Sequence, residues 1–311
     1  MDAIERWRKK GLLKDEQAAL LADIDSGRLF SVSDELRALL YLGALLVIAG
    51  VGATVKRYID QLGPLSIIAA LSAAIVACFA YCEGRARPYS NGAVGSPTAA
   101  FDYLLFIGCS LIGVLFSYLE AKYHWLGDKW DLYLLASGLL FLCAAYRFDN
   151  RMALAMGLLN LGGCLGVRLG RLFTTDFQFM RAVAMAEGAA ACAAGLLTAR
   201  AGVKPHFRET YLGIGINVLF AALLSDGSRI DLVSPLLALI LVLSGCCIAF
   251  ATLERRFAYF VYGIGYGYIA VSIAVLRHTS GAQAASAYFL VSAAALILAI
   301  FRFRKSLEAR E

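Results

Sequence analysis

The sequence predicts an all-α fold, a polytopic integral membrane bundle of about ten transmembrane helices with a small N-terminal cytoplasmic helical head. Hydrophobic residues make up 60% of the chain and charged residues 17%, whereas soluble domains carry roughly 45–50% and about 25%. The apolar residues fall into blocks of about 20, which is the length of helix that crosses a hydrocarbon core. Alternating segments of about 10 residues, which are typical of membrane barrels, are absent from the sequence.

The apolar blocks divide the chain into three regions. We expect a cytoplasmic head at residues 1–35, the transmembrane bundle at residues 36–302 and a cytoplasmic tail at residues 303–311. The predicted helices, in order, span residues 36–55, 64–82, 100–119, 130–146, 152–173, 179–198, 211–225, 232–253, 257–276 and 283–301.

The head region predicts two short amphipathic helices. Apolar residues such as Ile4, Trp7 and Leu20 recur at roughly helical spacing, and Gly11 interrupts the run, so we place the helices at 2–10 and 15–26. These helices either pack on each other and on the bundle, or lie on an anionic membrane surface. Contact with a protein partner, or a homo-oligomer contact, through residues 1–35 also stays open.

The distribution of basic residues predicts the orientation. Of the 29 Lys and Arg residues, 20 fall on the side of the N-terminus and 9 on the other side. Because cytoplasmic loops carry the excess of Lys and Arg, both termini are predicted to be cytoplasmic. The net charge of +6 is explained by this topology. The expected partner is therefore the lipid bilayer, and no nucleic acid is expected.

The N-terminal part of the chain resembles a known family. A "GLLKDEQAALLADI" segment precedes "LRALLYLGALLVIAGVGATV" and then "KRYIDQLGP". This layout resembles the prokaryotic predicted membrane proteins grouped as domain of unknown function 2157, over roughly residues 5–65. Lys14 replaces the usual Ser, and the usual Asn-Trp is replaced around Arg57 and Tyr58. The resemblance implies a multi-pass protein of the bacterial inner membrane and implies no catalytic activity.

Glu187 is the main candidate for a functional group within the membrane. It lies near the middle of the predicted helix 179–198, among Ala and Gly. A charge at that depth costs about 2.5–3.5 kcal/mol on insertion scales, so it needs an explanation. Hairpin geometry makes Arg168 the nearest candidate partner. Three interpretations stay open: a structural Arg168–Glu187 pair, an unpaired and often protonated Glu187, and a proton or substrate site.

Two amides and two glycine patterns predict contacts between helices. Asn160 and Asn217 lie within apolar blocks, where interhelical hydrogen bonding is the default interpretation. Together with Glu187 and Arg168 they form the candidate polar intramembrane site. Close helix packing, within the monomer or in a homodimer, is predicted at the spaced glycines Gly162, Gly166, Gly170, Gly263 and Gly267.

Aromatic residues cluster around the connection between the third and fourth predicted helices. These residues are Tyr118, Tyr123, Trp125, Trp130 and Tyr133. Tyr and Trp are enriched where a helix passes the membrane–water interface. The cluster is therefore interpreted as an interfacial belt rather than a binding site.

Sequence signatures of chemistry are few. Common nucleotide-binding, zinc-protease and serine-hydrolase motifs are absent, the eight cysteines lie within apolar blocks and the three histidines are scattered. We therefore expect no catalytic residue, no cofactor and no metal, and an enzyme is the least favoured class. Transport of a small molecule or an ion is the leading hypothesis. A non-catalytic sensor or assembly role through the N-terminal head is the alternative.

Overall fold

The fold is a helical bundle. The computed structural model describes residues 33–172, 176–279 and 281–308, so residues 1–32 of the predicted head lie outside the described residues. Across the described ranges there are ten α-helices and no strand, which confirms the all-α class. The helices are α1 (Ser33–Leu62), α2 (Pro64–Arg85), α3 (Ala99–Tyr123), α4 (Asp131–Phe148), α5 (Arg151–Leu172), α6 (Phe177–Arg200), α7 (Arg208–Leu224), α8 (Pro235–Glu254), α9 (Phe257–His278) and α10 (Ala282–Glu308).

Each predicted apolar block corresponds to one helix, but some helices extend beyond their block. Helix α1 continues through polar residues to Leu62, because the next residue, Gly63, has a φ of +71° that ends the helix. Pro64 then occupies the first turn of α2, where the missing N–H of proline costs no helical hydrogen bond. Helix α10 runs to Glu308, across the predicted start of the tail.

The helices have the length and surface of membrane spans. Among the described residues, nine helices are long and apolar enough to cross a membrane, and α1 contributes a shorter apolar helix, Leu39–Thr54. Outward-facing apolar side chains are largely uncovered: Val76 is 65% exposed, Leu253 81% and Leu290 75%. An apolar surface this extensive is stable in lipid and not in water. The chain is therefore an integral membrane protein.

Successive helices pair into hairpins. The tightest packing joins α2 with α3, α4 with α5, α6 with α7 and α8 with α9, whereas α5 packs more loosely on α6. In the α4–α5 hairpin, the Leu161 side chain lies over Gly138 and the Leu142 side chain lies over Gly157. Because a glycine leaves room for the facing leucine, the two helices approach closely.

The connections gather at two ends of the bundle. At the N-terminal end, defined as the end where α1 begins, the ion pairs Asp149–Lys204 and Arg208–Glu254 join neighbouring hairpins. At the opposite end, Asp131 contacts Arg171, and Asp226 contacts Arg181 at 2.9 Å. Charged side chains therefore join neighbouring hairpins at the N-terminal end, whereas at the opposite end these pairs link the two helices of one hairpin.

Candidate functional site

Glu187 lines a cavity of about 360 Å³ between α5, α6 and α7. The residue lies near the middle of α6, and apart from Tyr211 the other lining residues are Gly, Ala, Leu, Ile and Val. Its Oε1 atom is buried and has no hydrogen-bond partner among the described residues. A carboxyl group in these surroundings is available to a proton or to a cationic ligand.

Small residues explain why the cavity opens on the α5 side of Glu187. The next residue, Gly188, packs directly on α7, since a Cβ at this position would lie 2.7 Å from the carbonyl oxygen of Gly215. On the side of α5, a Cβ at Gly162 would lie 3.1 Å from Glu187 Oε2. The carboxyl group thus occupies the space that a side chain at position 162 would fill.

Of the three interpretations of Glu187, the structural pair with Arg168 is not formed in the structure. The Arg168 guanidinium contacts Asp131 of α4 at 3.5 Å, beside Arg171 at 2.9 Å. Asp131 is 2% exposed and lies on the partner helix of the tight α4–α5 hairpin, whereas α5 and α6 pack loosely. The two arginines therefore turn to the nearer carboxylate. Asp131 belongs to no recognisable sequence motif. It can be recognised as the partner of Arg168 and Arg171 only once α4 is known to pack on α5.

The two predicted amides each bridge a pair of helices. Asn160 Nδ2 donates a hydrogen bond to Ser137 Oγ at 3.0 Å, which links α5 to α4. Asn217 Oδ1 accepts a hydrogen bond of 2.6 Å from the Tyr266 hydroxyl, which links α7 to α9. Neither amide lines the cavity of Glu187. The four polar candidates are thus not assembled into one site, and Glu187 stands apart from the other three.

The predicted packing glycines face neighbouring helices in two ways. On α5, Gly162 faces Glu187, and Gly170 faces the Met180 sulfur of α6, with Gly166 at the edge of the same side chain. On α9, a Cβ at Gly263 would lie 2.7 Å from the Ser244 carbonyl oxygen of α8, and one at Gly267 would lie 3.1 Å from Ser244 Oγ. Gly263 therefore permits backbone contact between α8 and α9, whereas Gly267 and the α5 glycines accommodate side chains.

Sequence reasoning missed a buried charged cluster at the N-terminal end. Lys204 is 1% exposed and its Nζ lies 3.1 Å from Asp149 Oδ1. His206 Nε2 lies 2.5 Å from the same oxygen, and the Val94 N–H donates to Asp149 Oδ2. Each residue looks like an ordinary loop residue in the sequence. The cluster forms because three connections meet at one end of the bundle.

Comparison with known proteins finds a family match for the N-terminal part of the chain. Residues 5–154 match the family model described as "Predicted membrane protein (DUF2157)". The resemblance seen over residues 5–65 is confirmed, and the DUF2157 match extends through α4 to the start of α5. No curated protein and no solved structure matches the chain. The DUF2157 description agrees with the membrane location and names no activity; Glu187 lies beyond the matched residues.

Proposed function

We propose that this integral membrane protein transports a small molecule or an ion, and that Glu187 binds the transported species. One observation carries the proposal: the Glu187 carboxyl group lines a cavity of about 360 Å³ between α5, α6 and α7, and its buried Oε1 has no partner among the described residues. Acidic side chains within a membrane normally pair with a cation or a polar group. An acidic group left without such a partner is a candidate for binding something that comes and goes.

The composition of the cavity favours a proton or a small cation with an apolar body. Its walls are mostly Leu, Ile, Val and Ala side chains, and Glu187 supplies the one ionisable carboxyl group among the lining residues. An anion would be repelled by the ionised carboxylate. The volume falls within the range of roughly 300–1,000 Å³ that is usual for small-molecule sites.

The uneven packing around Glu187 supplies a route of access. The α6–α7 pair is in backbone contact at Gly188 and Gly215, whereas α5 packs more loosely on α6. Movement of the α4–α5 hairpin relative to α6–α7 would widen the cavity without breaking the tight contact. Rigid motion of one group of helices against another is the usual basis of alternating access.

We expect Glu187→Gln to remove a response to pH or to a cation that the wild-type protein shows. Glutamine keeps the shape of the side chain but cannot titrate or carry charge. Melting temperatures of the detergent-purified protein are measured across pH 5–9 (roughly the range in which perturbed intramembrane carboxyls titrate) and against a panel of organic and inorganic cations. Asp128→Asn, which removes an exposed carboxylate outside the cavity, is the control and should respond as wild type does.

The transport proposal fails if the wild type and Glu187→Gln respond alike. It also fails if neither responds and the variant simply melts at a lower temperature, since Glu187 would then have only a structural role. Loss of the response in Glu187→Gln alone would support the proposal. Transport itself is then measured with the purified protein in lipid vesicles, using the cation or the pH gradient that the screen identifies.

The proposed setting is the bacterial inner membrane with both termini in the cytoplasm. We expect an alkaline phosphatase reporter fused after Asp176, between α5 and α6, to be active, because that enzyme functions outside the cytoplasm. The same reporter fused after Gly202, between α6 and α7, should be inactive. An inactive fusion at Asp176 with an active fusion at Gly202 would indicate the opposite orientation, with both termini outside the cytoplasm.

A further inference from the structure

We propose that a second cavity, between α3, α4 and α5 at the opposite end of the bundle, binds a small organic ammonium ion. The cavity has a volume of about 440 Å³, and the residues that define it include Phe116, Glu120, Tyr133, Ser137 and Asn160. It is separate from the cavity of Glu187 and does not depend on the transport proposal. We call it the ammonium cavity.

Aromatic rings form one wall of the ammonium cavity. The rings of Phe116 and Tyr133 lie 5.0 Å apart between their centres, at 32° to each other. Trp130 also lines the cavity, whereas Trp125 is 77% exposed, as expected for a residue of an interfacial belt. Two residues of the predicted interfacial belt, Trp130 and Tyr133, therefore line a concave surface. Ring faces attract organic cations through their quadrupoles.

The cavity has a single carboxylate. Among the described lining residues there is no Lys or Arg, His124 is the one histidine, and Glu120 is the one acidic side chain. Its Oε2 accepts a hydrogen bond of 3.1 Å from the Leu126 N–H, which holds the carboxylate in place at the end of α3. Arg171 lies over Trp130 at 5.3 Å, and the buried Asp131, which it contacts at 2.9 Å and shares with Arg168, offsets part of its charge.

Polar groups in the wall have capacity left for a ligand. The Tyr133 hydroxyl is buried beside the Glu120 carboxylate, which lies within reach of its O–H, and it has no other hydrogen-bond partner among the described residues. Asn160 uses its Nδ2 to reach Ser137 and accepts no hydrogen bond from the described residues at its Oδ1. Asn160 is only half-buried, so its Oδ1 is open to a ligand in the cavity. The carboxylate and the ring faces together are complementary to an organic ammonium ion.

The test uses tetramethylammonium as the probe and Trp130 as the reporter. The chain has three tryptophans, so Trp7→Phe with Trp125→Phe leaves Trp130 as the source of the signal. We expect tetramethylammonium chloride to change the Trp130 fluorescence with saturation. Sodium chloride at the same ionic strength should not do so, nor should tert-butanol, a neutral molecule of similar shape. This comparison needs no change to the cavity itself.

Glu120→Gln should weaken the apparent affinity for tetramethylammonium by about tenfold or more, because a partly buried charge pair is lost. Glutamine retains an oxygen that can accept from the Leu126 N–H, so the end of α3 is preserved. Asp128→Asn removes a carboxylate from the same connection without touching the cavity and should bind as before. Glu187→Gln should also bind as before.

Three results would overturn the proposal that the ammonium cavity binds an organic ammonium ion. The first is no saturable change with tetramethylammonium, or an equal change with tert-butanol. The second is equal weakening by Glu120→Gln and Asp128→Asn, which would indicate general surface charge. The third is loss of binding in Glu187→Gln, which would place the cation in the other cavity.

Discussion

Lys204→Met is expected to lower the stability of the protein by roughly 3–5 kcal/mol, the usual cost of removing one partner from a buried ion pair. Lys204 is 1% exposed, and its ammonium group lies 3.1 Å from a carboxylate whose side chain is 4% exposed. It also lies 4.9 Å from the centre of the Tyr89 ring. Methionine fills a similar volume but leaves the charge of Asp149 without its main counterion. The melting temperature in detergent should fall by about 5–10 °C.

A double variant separates the charge from the packing in this region. Lys204→Met combined with Asp149→Asn removes both charges, so no uncompensated buried charge remains. Asp149 has a φ of +56°, and asparagine is one of the residues that tolerates this conformation. We therefore expect the double variant to recover part of the lost stability. The exposed Lys122→Met is the control. A Lys204→Met protein that melts like the control would contradict this account.

Gly188→Ala is expected to destabilise the α6–α7 hairpin, although alanine is the better helix former. A Cβ at position 188 would lie 2.7 Å from the Gly215 carbonyl oxygen and 2.8 Å from the Leu219 nitrogen. Both are backbone atoms, so relief requires the two helices to move apart. Overpacking of this kind costs typically about 1–3 kcal/mol, which outweighs the gain of roughly 0.5–1 kcal/mol from replacing glycine in a helix.

Gly265→Ala on α9 provides the matched control, because a Cβ there meets no atom within 4 Å. That substitution should leave the melting temperature unchanged or raise it slightly, so the two variants are expected to shift in opposite directions. Equal shifts would show that the contact between Gly188 and Gly215 is not restrictive. Since Glu187 is the adjacent residue, Gly188→Ala should also weaken any ligand response of the Glu187 cavity.

The helices could be predicted from the sequence because hydropathy blocks of membrane length have few alternatives. Helix α1 shows the limit of that approach: residues 56–62 include Lys56, Arg57, Asp60 and Gln61, yet they stay helical until Gly63 ends the helix. Hydropathy detects where a helix lies in lipid and not where its hydrogen bonds stop. The same holds for α10, which continues to Glu308.

The partners of the charged residues could not be predicted, since they depend on which helices pack tightly. The Arg168–Glu187 pairing assumed that every consecutive pair of helices packs equally well. In the structure α5 is tightly packed on α4, and Asp131 thereby comes within reach of Arg168. Lys204 and Asp149 are 55 positions apart. In the prediction of the orientation, Lys204 counted only as one of the basic loop residues, and Asp149 was not counted. Glu187 could be singled out from the sequence because an acidic residue surrounded by Ala and Gly in an apolar block is recognisable without knowing its partner.

The hairpin arrangement has a consequence for how the chain is assembled during synthesis. In each of the four tight pairs, the second helix is the next one along the chain after the first, so its partner is already present when it leaves the ribosome. Each pair can therefore form soon after its synthesis, in the N-to-C order typical of multi-element proteins. Contacts such as Asp149–Lys204 link different pairs, and they become available only when the α6–α7 pair arrives. These contacts act late and join hairpins that have already formed.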